Sequence, residues 1–416
     1  MPNLFYKSKP REFRETPVST QDLPLSGVRV VEMTHMVMGP TCGMVLAQLG
    51  AEVIKVEPPS GDKTRSLGGM GTSFFPLFNR GKRSVVLDFA RAEDRETMHR
   101  LLASADVFLE NFRDGQLDKQ GLGADELRGR HPHLIVAGHK GFLSGPYEHR
   151  PALDEVVQMM SGLAAMTGTR EKPQRVGSSA NDIMGGMFGA IAILAALYQK
   201  RGAKAADKAA DKGADIRIGL FENCLFLVAQ HMVEYEMTGN KPRSMPEREH
   251  AWPIYDIFET KGGERIFIGV VTEGHWQSFC REFGMTEFLD DPALRTTTDR
   301  ILARAKIIPR AAEVIKSRNV ADLSATLDRL NICFSPINRP EDLFDDPHVL
   351  RPGGLVNNTN ANGEPFRVPA LPIEWNGANI GEGLKVPVLG ADTEAVRAEL
   401  ERENVTPAGR TAASLP

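Results

Sequence analysis

The first 140 residues alternate between short β-rich runs and helical runs, and this alternation constrains the fold more than any other feature. LSGVRVVEM is a predicted strand, GPTCGMVLAQLGA a helix, and EVIKVEPP a second strand that its prolines end. Three more predicted strands follow in RSVVLDF, DVFLEN and LIVAGHKGF, separated by the helices AEDRETMHRLLASA and LGADELRGRH. Strands separated by helices pair in parallel through right-handed crossovers. The pattern therefore predicts an α/β domain with a doubly wound sheet.

The length indicates about two domains, because 416 residues exceed what one ordinary hydrophobic core holds. The segment GNKPRSMPEREHAWP has three prolines and is typical of a linker. The predicted hairpin YDIFETKGGERIFIGV follows it, with Gly262 and Gly263 at the turn. We therefore predict a large domain over residues 1–239, a small α+β domain over 240–335, and a segment over 336–416 that returns to the large domain.

Charge and cysteine usage exclude several classes of function. The formal net charge is -4 and the isoelectric point is near 6.2, so no basic surplus favours nucleic acid or an anionic membrane. The four cysteines lie far apart and form no CxxC pair, which argues against a zinc ribbon or a redox motif. We expect the histidines of HPH, at 131–133, to lie in a solvated loop. The sequence therefore predicts no metal site and no nucleic-acid partner.

Other segments bear on the location of the protein. The irregular N-terminal stretch from Met1 to Leu25 is polar and lacks the apolar run of a secretory signal. The apolar run from Ile183 to Tyr198 is shorter than the roughly 20 residues that cross a bilayer, so we predict a buried helix. The lysine–alanine segment RGAKAADKAADKGAD is predicted to be a solvated surface loop. We therefore expect a cytoplasmic protein with no membrane partner.

Familiar catalytic signatures do not occur in the sequence. It has no GxSxG elbow, no phosphate-binding P-loop and no HExxH zinc motif. The glycine cluster LGGMGTSFF does not follow a strand and open a helix, as a dinucleotide fingerprint must. Any chemistry must therefore come from individual side chains that the fold places together.

Asp182 stands directly before the long apolar run and is the main catalytic candidate. An aspartate there can cap the helix, and this is the conservative interpretation. Alternatively, an ionised carboxylate at the mouth of a buried helix can act as a nucleophile. Gly185 and Gly186 follow within a turn, and glycine inside a helix costs about 0.5–1 kcal/mol relative to alanine. A close approach by another backbone or a ligand would justify that cost, and this favours the nucleophile.

Polar and cationic residues follow two predicted strands, where a ligand would bind. ENFRDG follows the strand DVFL and carries Asn111, Phe112 and Arg113, and Lys140 follows the strand LIVAG. In open α/β sheets, ligands bind outside the carboxyl ends of the strands. Positive charge at two such ends, together with THMVMGP after the first strand, suits an anionic ligand with phosphates.

In these residues and the segments around them, the chain resembles the class III CoA-transferases, also called the formyl-CoA transferase or CaiB/BaiF family. The matching segments keep a consistent order and spacing over most of the chain. They are LSGVRVVEMTHMVMGPTCGMVLAQLGAEVIKVEPPSGDKTR, NRGKRSVVLDF, ADVFLENFRDG, HKGF, ALDEVVQMMSGLAAMTG, NDIMGGMFGAIAILAAL and FSPINRPEDLFDDPHV. The resemblance implies a large Rossmann-like domain built from both chain termini, a smaller central α+β domain, and a homodimer of two interlocked chains.

The resemblance also implies a set of site residues. The family's nucleophilic aspartate corresponds to Asp182. A basic family residue after the ENF motif corresponds to Lys119 or Arg113, and the sequence does not decide between them. The other matching CoA-binding positions are His35, Met36, Val37, Leu87, Asp88, Asn111, Phe112 and Lys140.

The implied reaction moves CoA from an acyl-CoA to a small carboxylic acid. The CoA thioester is a substrate, and the reaction requires no permanently bound cofactor and no metal. Asp182 would attack the acyl-CoA and then carry CoA as an aspartyl thioester, which divides one difficult exchange into easier steps. Backbone amides near the site would have to hold the oxyanions.

Two other functions fit parts of the sequence. The α-methylacyl-CoA racemases of the same family place a His–Asp pair where this chain has Leu153 and Asp154. The histidine base is therefore missing, unless His149 replaces it. A protein that binds acyl-CoA without chemistry would keep the cleft but would have no need of Asp182.

The sequence outlines the substrate acids only as a class. Formyl-CoA:oxalate transferases carry glutamine where this chain has Val37, and they carry a run of glycines that the segment MPEREHAWPIYD lacks. We therefore expect succinate or another C4–C5 dicarboxylate rather than oxalate or formate, with Arg248 or His250 as candidate partners of the acceptor carboxylate. The donor, the acceptor, and the choice between intermolecular and intramolecular transfer stay open.

Overall fold

The structure is a computed structural model that describes residues 18–202 and 212–405. The predicted irregular N-terminus and the predicted lysine–alanine loop fall largely outside these ranges. The chain forms two compact units, and the first of them is built from both ends of the chain. This arrangement places the second unit as an insertion within the sequence of the first.

The unit boundaries differ from the predicted ones. The first unit comprises residues 1–245 and 347–416, and the second comprises residues 246–346. Both predicted boundaries, after residues 239 and 335, come too early. Residues 333–336 form a strand that pairs with the sheet of the second unit. The chain just past residue 335 therefore still belongs to that unit.

A six-stranded sheet forms the centre of the first unit. Its strands are β1 (Arg29–Met33), β2 (Glu52–Glu57), β3 (Arg83–Val86), β4 (Val107–Glu110), β5 (Ile135–Lys140) and β6 (Asp215–Gly219). Their order across the sheet is β3-β2-β1-β4-β5-β6, and each neighbouring pair is parallel. The predicted parallel α/β sheet is therefore confirmed.

Helices follow the strands of this unit in alternation. Up to residue 245 they are α1 (Met38–Gln48), α2 (Phe74–Asn79), α3 (Ala92–Ala103), α4 (Ala124–Arg130), α5 (Asp154–Met160), α6 (Leu163–Thr167), α7 (Ala180–Gly202) and α8 (Leu220–Thr238). Every residue of β1 is buried, as expected of a central strand that is covered on both faces.

Apolar clusters fill both faces of the sheet. On one face, Leu46 of α1 and Ile193 of α7 lie in one cluster with Val30. On the other face, Leu101 of α3 lies in a cluster with Val31. Successive strand residues point to opposite faces, so α1 and α7 share one side of the sheet and α3 covers the other.

The segment ALDEVVQMMSGLAAMTG forms two helices, α5 and α6, although its pattern predicts one helical stretch. Gly162 separates them with φ +86°. Glycine reaches this left-handed conformation without strain, and a residue in that conformation ends a helix. The break leaves Asp154 at the start of a short, independent helix.

Within the described residues, α7 is the one helix that is long and apolar enough to cross a membrane. The core helix of a soluble protein meets the same criteria of length and composition. Ala190, Ile193 and Leu197 of α7 belong to the apolar cluster on one face of the sheet. This helix is therefore part of the core of the first unit.

The second unit is an antiparallel sheet covered by helices. Its strands are β7 (Ile254–Glu259), β8 (Arg265–Val270) and β9 (Cys333–Pro336), in that order across the sheet. Its helices are α9 (Glu273–Glu282), α10 (Glu287–Asp290), α11 (Thr297–Leu302), α12 (Arg304–Lys316) and α13 (Val320–Arg329). The predicted hairpin is present, and Gly263 adopts φ +87° at its turn. Trp276 and Phe279 are fully buried in the core of this unit.

The C-terminal segment completes the first unit. Its elements are β10 (Leu355–Thr359), β11 (Pro365–Pro369), β12 (Glu374–Trp375), β13 (Ala378–Asn379) and α14 (Thr393–Val405). Val396 and Leu400 of α14 lie in the same apolar cluster as Val85 of β3. Arg83 of β3 also forms a 2.8 Å ion pair with Glu399. The last helix thus covers the edge of the sheet at β3.

The expectation of a solvated HPH loop is wrong for His131. This side chain is only 6% exposed, and its ring stacks on His99 with centroids 5.8 Å apart. Burial lowers the pKa of His131 to about 4. The local sequence does not show that His99, on the neighbouring α3, supplies this packing.

We predict that the buried His139 makes the fold sensitive to mild acid. Burial lowers the pKa of His139 from 6.5 to about 4, so the unfolded chain takes up the proton first. Its contribution to stability is complete above pH 6.5 and falls by roughly 3 kcal/mol as the pH drops to about 4. Replacing the side chain by His139→Leu should reduce the slope of unfolding free energy against pH in this window, as measured by urea denaturation.

The matched control is His149→Gln, because His149 lies on an exposed loop. Its curve should follow that of the unsubstituted protein. An unchanged slope in His139→Leu would show that this histidine does not set the acid sensitivity.

Candidate active site

The strand order places β1 beside β4, although β2 and β3 lie between them in sequence. In sheets of this kind, such a reversal of strand order opens a crevice at the carboxyl ends of the strands, and ligands bind there. The segments that leave β1 and β4 begin at Thr34 and Asn111. The candidate binding residues of both segments are therefore brought to one place.

His35 and Asn111 fasten these two segments together. The His35 backbone N–H donates to Asn111 Oδ1 at 3.0 Å, and Asn111 Nδ2 donates to the His35 carbonyl at 2.7 Å. The His35 ring packs beside Phe112 with centroids 5.5 Å apart. Three residues that the sequence predicts for the site thus form one fixed corner of the crevice.

Met36 and Val37 complete the turn that leads into α1. Met36 has φ +64°, a left-handed conformation that is uncommon for residues other than glycine. Its side chain is exposed, whereas Val37 is buried. The first amides of an α-helix have no acceptor within the helix. The start of α1 therefore offers free donors of the kind that bind anions.

α1 and α7 approach each other closely beside Asp182. A β-carbon on Gly186 would lie 2.6 Å from the Met38 carbonyl oxygen, and one on Gly185 would lie 2.5 Å from Met38 Cε. The Met38 carbonyl is fixed backbone, so position 186 requires glycine, whereas at position 185 the flexible end of the Met38 side chain would have to move. This contact supplies the close backbone approach that the glycine pair suggests, and it sets the second turn of α7, directly after the turn that carries Asp182, against the start of α1.

Asp182 is the third residue of α7, which begins at Ala180. It therefore lies inside the first turn, and the interpretation as a helix cap is wrong. The side chain is partly exposed. Within the described residues, its carboxylate accepts no hydrogen bond and forms no ion pair. A reactive group needs this combination of accessibility and freedom from partners.

Asp154 orients the backbone of Asp182. The Asp182 N–H donates to Asp154 Oδ2 at 3.0 Å. The Gln158 amide, one helical turn further along α5, donates to the other oxygen, Oδ1. Arg175 lies beyond it, with a guanidinium nitrogen 4.0 Å from Asp154 Oδ1. The buried Asp154 is thus fixed from two sides, and in turn it fixes the start of α7.

The two aspartates alter each other's electrostatics. Removal from water and the negative charge of Asp154 together raise the pKa of Asp182 to about 7, and the positive charge of Arg175 opposes this rise. Carboxylates with strongly raised pKa values cluster at catalytic sites. At neutral pH, Asp182 is therefore partly ionised, and its ionised form is a stronger base and nucleophile than an ordinary aspartate.

Leu87 and Asp88 follow β3, at the edge of the sheet. Leu87 is fully buried in the core. The Asp88 carboxylate accepts a hydrogen bond from the Ala90 backbone at 3.0 Å, and this bond shapes the turn. Of the two predicted binding residues, only Asp88 therefore has a side chain within reach of solvent.

Lys140 does not carry a free positive charge. Its Nζ lies 2.8 Å from Glu110 and 3.1 Å from Asp114, and it donates to the Phe112 carbonyl at 3.0 Å. The neighbouring His139 faces α7, because a β-carbon on Gly189 would lie 2.3 Å from its ring. Lys140 therefore points to the opposite face of the sheet. It buttresses the segment after β4 rather than offering its charge beside Asp182.

A cavity of about 270 Å³ lies on that opposite face, and Lys140 lines it together with Arg113 and Arg217. Arg217 pairs with Asp114 at 3.0 Å and with Glu148 at 2.7 Å. The cations of this cavity, apart from Arg113, are thus already neutralised. This charge balance makes the cavity a poor receptor for several phosphates.

Arg113 and Lys119 are the two candidate cations that stay available. Both are exposed, on the segment that follows β4. Neither side chain forms an ion pair within the described part of the chain. Since both leave the same corner as Asn111 and Phe112, each is suited to meet phosphates at the rim of the crevice.

His149 and Leu153 are not part of this group. His149 lies on an exposed loop before α5. Leu153 occupies the position before Asp154, where a racemase-like pair would need histidine, and it is 65% exposed. Arg248 and His250 belong to the second unit, whereas Asp182 belongs to the first.

Sequence reasoning missed Arg175 and Gln158, as well as the part that Asp154 plays. Asp154 precedes Asp182 by 28 residues, so no local pattern links them. One signal was present, since Asp154 and Gln158 are four residues apart and must share a helix face. Arg175 has no such signal, because it lies in an irregular segment before α7.

Comparisons with known proteins extend this picture. Residues 25–393 match the model of CoA-transferase family III. The succinate–glutarate CoA-transferase of Agrobacterium fabrum is 30% identical over 391 residues, which cover 91% of this chain and 96% of that protein. The acetyl-CoA:oxalate CoA-transferase of Acetobacter aceti is 34% identical over 386 residues, which cover 88% and 96% respectively.

A comparison with solved structures agrees with this family match. The crystal structure of a CaiB/BaiF family protein from Brucella suis is 33% identical and superposes with a TM-score of 0.79, covering 91% of this chain and 99% of that one. The family match extends over most of the chain and includes the segments that leave β1 and β4, as well as α7. On these grounds the chain belongs to CoA-transferase family III and is a CoA-transferase.

Proposed function

We propose that this enzyme moves CoA between a dicarboxylyl-CoA and a carboxylic acid through an aspartyl-CoA thioester on Asp182. One observation carries the proposal. The Asp182 carboxylate is partly exposed at the start of α7, its pKa is raised to about 7, and no described residue hydrogen-bonds to it. A carboxylate that served only to stabilise the fold would be paired or fully solvated.

The reaction proceeds in four exchanges. An Asp182 carboxylate oxygen attacks the acyl-CoA carbonyl carbon, the C–S bond breaks, and CoA leaves as its thiolate. The thiolate then attacks the Asp182 carbonyl of the mixed anhydride, which releases the first acid and forms the aspartyl thioester. The acceptor carboxylate attacks this thioester and releases CoA thiolate again. The thiolate finally attacks the acyl carbonyl of the second anhydride and regenerates Asp182.

Asp154 and Arg175 tune the nucleophile. Asp154 accepts the Asp182 N–H at 3.0 Å and so fixes the first turn of α7. Together with removal from water, its charge raises the pKa of Asp182, whereas the positive charge of Arg175 opposes this rise. A nucleophile works best when its pKa lies near the working pH, because it is then both ionised and reactive.

The start of α1 supplies the oxyanion donors in this proposal. Each tetrahedral intermediate places a negative charge on an oxygen beside Asp182. The Met38 and Gly39 amides lie in the first turn of α1 and have no acceptor within that helix. Preorganised donors of this kind typically contribute about 3–4 kcal/mol to a rate. The contact between Met38 and Gly186 sets the start of α1 against the second turn of α7, directly after the turn that carries Asp182.

We propose that the CoA moiety lies across the crevice between β1 and β4, where the strand order reverses. Asn111 and Phe112 would hold its middle portion beside His35, and Arg113 or Lys119 would pair with its phosphates. Met36 and Asp88 remain candidate contacts at either side. The chemistry requires no cofactor besides the CoA thioester that is its substrate.

The relatives support a dicarboxylic acid as the substrate class. One acts on succinate and glutarate and another on oxalate, according to their names. Val37 is buried where a polar residue would favour oxalate, so we propose succinyl-CoA as the donor and a C4–C5 dicarboxylate as the acceptor. Oxalate belongs in the same acceptor panel, because the oxalate enzyme is 34% identical to this chain.

Racemisation is the second candidate, and the site disfavours it. A racemase needs two proton-transferring groups on opposite sides of the α-carbon. Asp182 can serve as one of them, but the residue beside Asp154 is Leu153, which cannot carry a proton. His149 lies on an exposed loop four residues earlier. No other described histidine is positioned at the start of α5.

A homodimer is also proposed. The exposed apolar side chains of α7 and α8 include Met187, Ile191, Tyr198, Phe226, Met232, Val233, Tyr235 and Met237. A patch of this kind marks an interaction surface rather than a solvated helix face. A second copy of the chain is the occupant that the family resemblance implies, and it would cover both helices.

We predict a covalent adduct on Asp182. Mixing the enzyme with succinyl-CoA should increase its intact mass by one CoA, and borohydride should replace the adduct by a small mass decrease as the thioester is reduced. Asp182→Asn should show neither change, because an amide cannot form the thioester. Intact-protein mass spectrometry measures both states.

The control is Asp322→Asn, since Asp322 is also the third residue of its helix, α13, but lies in the second unit. This variant should form the adduct like the unsubstituted enzyme. If the enzyme forms no adduct with succinyl-, glutaryl- or acetyl-CoA, the proposal fails. Solvent deuterium incorporation at the α-carbon of a branched acyl-CoA would then indicate racemisation, and tight binding alone an inactive binding protein.

We further predict a pH dependence of adduct formation. Only ionised Asp182 attacks, so the rate should rise about tenfold per unit below pH 7 and level off above it. Asp154→Asn removes the neighbouring charge but keeps an acceptor oxygen, so the midpoint should move to lower pH. Single-turnover rates at saturating succinyl-CoA measure both midpoints. A midpoint near pH 4 in the unsubstituted enzyme, or an upward shift in Asp154→Asn, would contradict this account.

We predict that the protein has twice the 45.7 kDa chain mass in solution. Phe226→Glu with Val233→Glu places two charges in the apolar patch and should shift the mass toward that of one chain, as measured by light scattering after size exclusion. The control is Lys316→Glu, on an exposed helix of the second unit. A monomeric unsubstituted protein would refute the dimer without affecting the proposed chemistry.

A further inference from the structure

Four charged side chains lie fully inside the first unit, beneath the turn that joins β1 to α1. They are Glu32, Lys55, Asp62 and Lys82, and their side chains are 0–2% exposed. Lys82 lies 2.7 Å from Glu32, and Lys55 lies 2.9 Å from Asp62 and 3.6 Å from Glu32. Two cations balance two anions, so the charged network adds almost no net charge to its surroundings.

Both ammonium groups also hold the backbone of the turn. Lys55 Nζ donates to the Thr34 carbonyl at 2.7 Å, and Lys82 Nζ donates to the Pro40 carbonyl at 3.0 Å. The Thr34 hydroxyl donates to Glu32 Oε1 at 2.6 Å. The segment 34–40 is thus fastened at both ends to the same buried charges.

Room for these charges requires a glycine in α1, which lowers the stability of that helix. A β-carbon on Gly43 of α1 would lie 1.8 Å from Glu32 Oε2, so α1 carries a glycine there. Glycine inside a helix costs about 0.5–1 kcal/mol relative to alanine. Buried ion networks are often no more stabilising than apolar side chains of the same volume. Stability alone therefore does not account for this arrangement.

The fastened segment carries a strained residue. Met36 lies between the two anchored carbonyls and adopts φ +64°. Strained backbone of this kind persists only where its surroundings hold it, and it clusters at functional sites. The same segment carries His35, whose backbone forms two hydrogen bonds with the Asn111 side chain.

We infer that the network of Glu32, Lys55, Asp62 and Lys82 is a positioning device for segment 34–40. It holds the His35–Val37 turn and the first amides of α1 in the geometry that presents a thioester to Asp182. These residues touch no reacting atom in this scheme and act through the backbone that they hold. The inference rests on the proposed function, because the network has this purpose only if Asp182 attacks a CoA thioester.

The sheet offers a matched control at the other end of the same strands. Arg29 and Glu52 are register partners at the amino ends of β1 and β2, and their side chains pair at 2.7 Å. This pair is remote from the crevice, because it lies at the amino ends of the strands and the crevice lies at their carboxyl ends. Each pair also contacts further charges, since Lys55 lies 3.6 Å from Glu32, Arg29 pairs with Glu403 and Glu52 pairs with Arg83. Loss of either pair therefore removes more than one ion pair, but only the pair of Lys55 and Asp62 is linked to segment 34–40.

The test compares Lys55→Met/Asp62→Asn with Arg29→Met/Glu52→Gln, since each double substitution removes one cation and one anion. Hydrogen exchange of the peptide spanning residues 34–41 and the single-turnover rate of adduct formation at saturating succinyl-CoA are measured together with the thermal midpoint. The first variant should exchange faster in this peptide and form the adduct about 10–100-fold more slowly. The second should change neither, whatever its thermal midpoint.

Thr34→Val is the second variant, because it keeps all four charges and removes only the hydroxyl bond to Glu32. It should show the same two effects to a smaller extent, and it decides the question if the double variant does not fold. Equal adduct rates in the two double variants, or unchanged exchange over residues 34–41, would overturn the inference. If the unsubstituted enzyme forms no adduct, the proposed function fails, and the exchange measurement alone still tests whether the network holds the turn.

Discussion

The close contact between α1 and α7 is the constraint on which the rest of the site depends. Gly186 leaves no room for a side chain against the Met38 carbonyl, and Gly185 packs on the Met38 side chain, so the start of α1 lies against the early turns of α7. One helix brings free backbone donors, and the other brings the Asp182 carboxylate. A larger residue at Gly186 would separate these groups, although no chemical group of the site would be lost.

The site also shows how a carboxylate is kept reactive while it is largely removed from water. Asp154 lies beside Asp182 and holds its backbone rather than its side chain. Removal from water and the like charge of Asp154 raise the pKa of Asp182, and Arg175 limits the effect. The carboxylate is therefore left without a partner that a substrate would have to displace. In contrast, neighbouring carboxylates neutralise Lys140 and Arg217. Among the cations predicted to bind CoA, only Arg113 and Lys119 therefore stay without an ion pair within the described residues.

The sequence predicted those parts of the fold that depend on local pattern. Alternating strands and helices gave the parallel sheet, and the apolar run gave the core helix that begins near Asp182. Long-range contacts were not visible. The pairing of Lys140 with Glu110 joins two strands, the strand at 333–336 belongs to a sheet begun some 80 residues earlier, and Asp154 meets Asp182 across two helices. The break at Gly162 was also hidden, because a single glycine in a helical pattern does not reveal its backbone conformation.

The covering of β3 by α14 has a consequence for the order in which the protein matures. A ribosome releases residues 18–245 before the second unit, yet the helix that shields β3 is formed by residues 393–405. The second unit is continuous in sequence and contains its whole core, so it can close while synthesis continues. The first unit must instead wait with the apolar surface around Val85 unshielded until residues 393–405 have been synthesised. Nascent chains of this enzyme should therefore depend on chaperones mainly through their N-terminal half.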